Sequence, residues 1–198
     1  MVTEVFSTVN PYTLNVRWKK GTTIPVPTTR VGLCVGMTII WIKKSMANGA
    51  LNSFDELGSV SLMGVISSAY NNLIVPRVRK QLNFLQEMSD FLLGNGLSVE
   101  YCRYGLSQFD PFMNACDISL REGFHLIYLM GNLENMGHVM GTRVQGNELD
   151  FFDSTLALYR FNDSAEFMHK VSAHIYLNYQ PVLNCNWYIA RVTPYPKK

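Results

Sequence analysis

The stretch GHVMGTRVQGNELDFFD, residues 137 to 153, leaves a chain little freedom. Two runs of strand-forming residues flank Gly146-Asn147, a dipeptide suited to the positive backbone angles of a two-residue hairpin turn. That turn fixes a register in which Val144 faces Leu149, Thr142 faces Phe151, Met140 faces Asp153 and His138 faces Thr155. Side chains alternate between the faces of a strand, so His138 and Asp153 share one face as diagonal neighbours. Their backbones then lie about 7–8 Å apart, within reach for an imidazole and a carboxylate that lean together. A loop one residue shorter would put the two on opposite faces.

Around this hairpin the second half of the chain is rich in short β-branched and aromatic runs, LSVEYCRY, FHLIYLMG, LALYRF and NCNWYIARV, separated by Gly, Asn and Ser. They read as strands of an antiparallel sheet. One helix interrupts them, capped by Asp163 with Glu166 and running to about Tyr179. The first half has helical period. VGMTIIWIKKSM, following Cys34, predicts a mostly buried helix that stops near Asn48-Gly49. Ser53 with Glu56 predicts a second helix through about Asn72, and Pro76 a third that ends at Gly94. Residues 1 to 30 hold one strand-like segment, TLNVRW, and an approach rich in Pro and Thr. The sum is a helical layer packed on an antiparallel sheet, an α+β fold, in a single domain spanning residues 1–198.

Composition removes several classes of function. A net charge of +2 with no block of like charges indicates neither nucleic acid nor a polybasic membrane tether as partner. No apolar run reaches the roughly 18 residues of a membrane span, and MVTEVFSTVN lacks the regions of a secretory signal, so export would use a signal-peptide-independent route. The four histidines fall at no zinc spacing and no phosphate-binding glycine loop opens a helix, so neither a metal nor another cofactor is expected. Cys34, Cys102, Cys116 and Cys185 are scattered and read as reduced thiols.

Cys34 stands apart because of its neighbours. Placed at a helix start it would meet unpaired backbone N–H groups and a partial positive charge, both of which favour a thiolate. Gly32 and Gly36 would let the chain turn before the thiol and let another segment approach after it. A buried structural cysteine is the commoner case. The order Cys34, His138, Asp153 nevertheless matches a papain-like site, with nucleophile early in the chain and base and orienting acid on later strands.

The segments GLCVGMTIIWI and GHVMGTRVQGNELDFFDSTLALYRF resemble the YopT/AvrPphB family of bacterial effector cysteine proteases. The resemblance rests on Gly32, Cys34 and Trp41, then Gly137, His138, Phe151, Phe152 and Asp153. It implies a papain-like cysteine protease with Cys34, His138 and Asp153 as catalytic residues, a host protein as substrate and the host cytoplasm as working place. Two departures stand out. The chain continues Ser154-Thr155-Leu156-Ala157 where the family commonly has Pro-Asn-Phe-Gly, and PVPTTRVG holds no Asn or Gln to bind an oxyanion. Thr28 or Thr29 could supply a hydroxyl there, beside the backbone N–H of Cys34. Two other functions share these residues: a peptidoglycan amidase or endopeptidase of NlpC/P60 type, and a binding module on a catalytically dead papain-like scaffold.

Overall fold

In the computed structural model the hairpin has the register its turn dictates. Gly146 takes a φ of 56°. Val144 pairs with Leu149, Thr142 with Phe151 and Met140 with Asp153. Pairing stops there, so Thr155 does not face His138 from a strand as expected but lies in the turn that follows. The structure describes residues 2–8, 26–58, 60–70, 84–106, 109–131, 137–180, 183 and 186–196, with side chains from residue 33 in the first helix and from residue 62 in the second. The expected strand TLNVRW, Pro76 and Cys185 lie outside the described residues.

Among the described residues seven strands form one antiparallel sheet: β1 (Thr3–Ser7), β2 (Leu97–Gly105), β3 (Gly123–Met130), β4 (Gly137–Gln145), β5 (Glu148–Asp153), β6 (Ala157–Phe161) and β7 (Asn186–Pro194). Their order across the sheet is β1-β6-β5-β4-β3-β7-β2, which puts the hairpin β4–β5 near the centre. The described helices are α1 (Val26–Asn48), α2 (Val60–Ala69), α3 (Phe84–Gly94), α4 (Pro111–Ser119) and α5 (Ser164–Asn178). Among the described residues no helix is long and apolar enough to cross a membrane.

Alternation along the strands makes two cores. On one face Leu126, Tyr128, Val139, Phe152 and Tyr188 pack with Trp41 and Ile40 of α1 and with Met88 and Phe91 of α3. On the other, Ile127, Met140, Leu149, Phe151 and Ile189 pack with Phe167, Val171 and Ile175 of α5 and with Ala115 and Ile118 of α4. Burial of these faces supplies the main driving force. A charged ladder pins the central strands: the fully buried Asp150 of β5 accepts from Arg143 Nε of β4 and Arg160 Nε of β6, each at 2.8 Å. A buried carboxylate without such partners would be strongly destabilising, so a slipped register is penalised.

The helices depart from the sequence reading in ways that matter for the site. α1 starts at Val26, so Cys34 does not open it but lies more than two turns inside. Pro27, read from sequence as a breaker, falls in the first turn, where a missing N–H loses no helical hydrogen bond. Downstream of Ser53 a single 3-10 turn, Phe54–Leu57, stops at Gly58 with φ 82°, and α2 begins only at Val60. The last helix of the first half is described as Phe84–Gly94. Two elements were not anticipated: β1, which extends the sheet beyond β6, and α4. For α4 the signal was present, since Asp110 caps it by accepting from the N–H of Met113 at 2.9 Å and Pro111 occupies its first turn.

Candidate functional site

Two close approaches fix α1 on the sheet. A Cβ on Gly141 of β4 would sit 2.7 Å from the ring of Trp41, so only glycine lets that ring lie against the strand. Trp41 is then sandwiched onto Phe152 of β5, with ring centroids 5.2 Å apart and planes within 9°. Thr38 Oγ1 donates to the carbonyl of Val139, next to His138, at 3.1 Å. A Cβ on Gly36 would come 2.1 Å from the carbonyl oxygen of Met63, and the Gly36 N–H donates to Ser67 Oγ at 3.0 Å. Gly36 therefore permits the close crossing of α1 and α2, as its place after the thiol suggested.

These contacts bring Cys34 to His138. The thiol interacts with the imidazole and favours its charged form. His138 Nε2 lies 3.0 Å from Asp153 Oδ1, which leaves Nδ1 as the nitrogen available to the sulfur. All three side chains are buried, Cys34 at 3% exposure, His138 at 5% and Asp153 at 0%. Burial alone would lower the His138 pKa, but the Asp153 charge and hydrogen bond, with a smaller part from Cys34, outweigh it and raise it to about 10. Burial would likewise raise Asp153, yet His138, His174 and Tyr179 hold its carboxyl well below the usual range. The ring is thus an imidazolium facing an ionised carboxylate near neutral pH.

The extension of α1 changes what surrounds the thiol. The helix dipole acts within the first turn, so at Cys34 it is too distant to stabilise an anion. The counter-charge at hand is His138. The backbone N–H of Cys34 falls where a helix pairs it with the carbonyl four residues earlier, so it is not the free oxyanion donor expected of a helix start. Thr28 and Thr29 belong to the first turn of α1, and their side chains lie outside the described residues.

Two site residues escaped the sequence reading. His174 Nε2 lies 2.7 Å from Asp153 Oδ2, and Tyr179 Oη donates to the same oxygen at 2.6 Å. The Tyr179 ring also stacks on His138, centroids 4.3 Å apart and planes within 15°. His174 had a signal: it continues the buried stripe Phe167, Val171 and Ile175 of α5, where an ionisable side chain needs a partner. Tyr179 had the same signal, since it lies four residues after Ile175 on that stripe and its N–H still donates to the Ile175 carbonyl at 3.0 Å.

No family model matches the chain, and a search of curated proteins finds no relative. Among solved structures it is similar to the crystal structure of the Pseudomonas avirulence protein AvrPphB, with a TM-score of 0.63 over 81% of this chain and 91% of that one, at 14% identity. The two share a fold, and the mixed helix-and-antiparallel-sheet architecture is papain-like.

Proposed function

We propose that this chain is a cysteine protease in which Cys34 is the nucleophile, His138 the base and acid, and Asp153 the orienting residue. The observation that carries the reading is the unbroken series of contacts from the Cys34 thiol through His138 to Asp153, inside a fold shared with AvrPphB. In the reaction the Cys34 sulfur attacks a peptide carbonyl carbon, the C–N bond breaks, and His138 passes its proton to the departing amine. Water, deprotonated by His138, then releases the acyl group, and Cys34 and the protonated His138 return to their starting state. Asp153 keeps the proton-bearing Nε2 directed at itself and Nδ1 at the sulfur, without taking the proton.

The sequence resemblance and the shared fold together support a protein substrate in a host cell. The residue on His138 is a carboxylate, and the second histidine, His174, meets Asp153, which speaks against an NlpC/P60-type wall hydrolase. The test is digestion of a host-cell lysate and of purified murein by the protein and by Cys34→Ser. New protein N-termini from the lysate with the native protein alone are expected. Murein products would favour the wall hydrolase, and no products from either would favour a binding module.

A further inference from the structure

Asp153 is met on both carboxylate oxygens. Oδ1 lies 3.0 Å from His138 Nε2, 2.9 Å from the N–H of Thr155 and 2.7 Å from Thr155 Oγ1. Oδ2 lies 2.7 Å from His174 Nε2 and 2.6 Å from Tyr179 Oη. The two hydroxyls also touch, Thr155 Oγ1 lying 2.7 Å from Tyr179 Oη. A hydroxyl lone pair turned on a charged oxygen costs more than one turned on a neutral hydroxyl, so both hydrogens go to the carboxylate.

We infer that Tyr179 is a positioning residue for the proposed protease, donating to Asp153 Oδ2 while the Thr155 hydroxyl donates to Oδ1. Oδ1 then accepts from His138 and from the N–H and hydroxyl of Thr155, and Oδ2 from His174 and Tyr179. Burial and the Asp153 charge keep the Tyr179 phenol protonated, as a donor must be. The stacked phenol ring also covers one face of the imidazole. The carboxylate is thereby held on both oxygens, and rotation of Oδ1 away from His138 would break four further bonds.

The inference rests on the protease reading for its effect on turnover, so a second readout independent of turnover goes with it. This is the downfield proton resonance of His138 Nε2–H, identified by its loss in His138→Gln. Tyr179→Phe keeps the stack and removes the donor. It should shift that resonance and lower kcat roughly tenfold with KM little changed. Thr155→Val should do the same more weakly, about threefold in kcat, and Thr155→Ser should restore the native values. An unmoved resonance in Tyr179→Phe overturns the positioning role whether or not the chain proves to be a protease. A larger effect of Thr155→Val than of Tyr179→Phe overturns the inference, since Thr155 and not Tyr179 would then be the group that holds the carboxylate. If Tyr179→Phe does not fold, 3-fluorotyrosine at position 179 decides: its stronger phenol donor should shift the resonance, and no shift rejects the inference.

Discussion

The two halves of the candidate site are held by different physics. The His138–Asp153 half stands on a hairpin whose register is set by a turn and is closed by hydrogen bonds from β4, α5 and the turn after β5. The Cys34 half is set by shape: Gly36 against the Met63 carbonyl, Gly141 under the Trp41 ring, and Trp41 flat on Phe152. Hydrogen bonds orient His138 to within a rotamer, while close packing sets how far Cys34 stands from it. Damage to the first half should therefore show in the chemistry, and damage to the second in stability before chemistry.

The sharpest test of the first half is Asp153→Asn. It should lower turnover by about 10–10³-fold, mostly in kcat, because the acid acts on the orientation of His138 more than on substrate binding. The same variant should change how stability depends on pH. A His138 pKa raised to about 10 adds stability that is complete below about 6.5 and is lost as pH rises through 10. The depressed Asp153 contribution is complete above about 4 and is lost as pH falls through its low folded value. Native Tm should thus be highest between about pH 4 and 6.5 and fall toward pH 10, and the fall should be shallower in Asp153→Asn. Equal slopes would mean that the pair is not ionised in the folded protein. A smaller effect, and one confined to stability, is expected from Gly36→Ala. Its added methyl meets backbone and not a movable side chain, at a cost of about 3 kcal/mol, or roughly 6–12 °C in Tm. Residual activity per folded molecule close to native would show that α2 had given way while α1 kept its place on β4. Unchanged Tm would show that the α1–α2 crossing is looser than its contacts imply.

The contrast also explains what the sequence could reveal. Parity along β4 and β5 is a local rule, and with Gly146-Asn147 as the turn it put His138 beside Asp153 before any tertiary contact was considered. Its reach ended where the strand did, so Thr155 was placed opposite His138 when it belongs to the following turn and contacts Asp153. The start of α1 was misread because Pro27 marks a break inside a helix but not in a first turn. Moving that start took away a dipole and a backbone donor that the sequence had assigned to Cys34. His174 and Tyr179 come to Asp153 from a helix on the far side of the hairpin connection, a meeting set by packing of α5 on β5 and β6 that no spacing encodes.

The central claim is that Cys34 is an activated thiol because of His138, and competitive alkylation tests it directly. Exposure alone predicts the opposite order of reaction: Cys34 is buried, whereas Cys102 and Cys116 are partly open to solvent. Brief treatment with iodoacetamide at pH 6, read by mass spectrometry, should label Cys34 well ahead of Cys102 and Cys116 in the native protein and lose that preference in His138→Ala. Labelling that follows exposure, or a Cys34 preference that survives the loss of His138, would contradict the account and leave Cys34 as a core thiol.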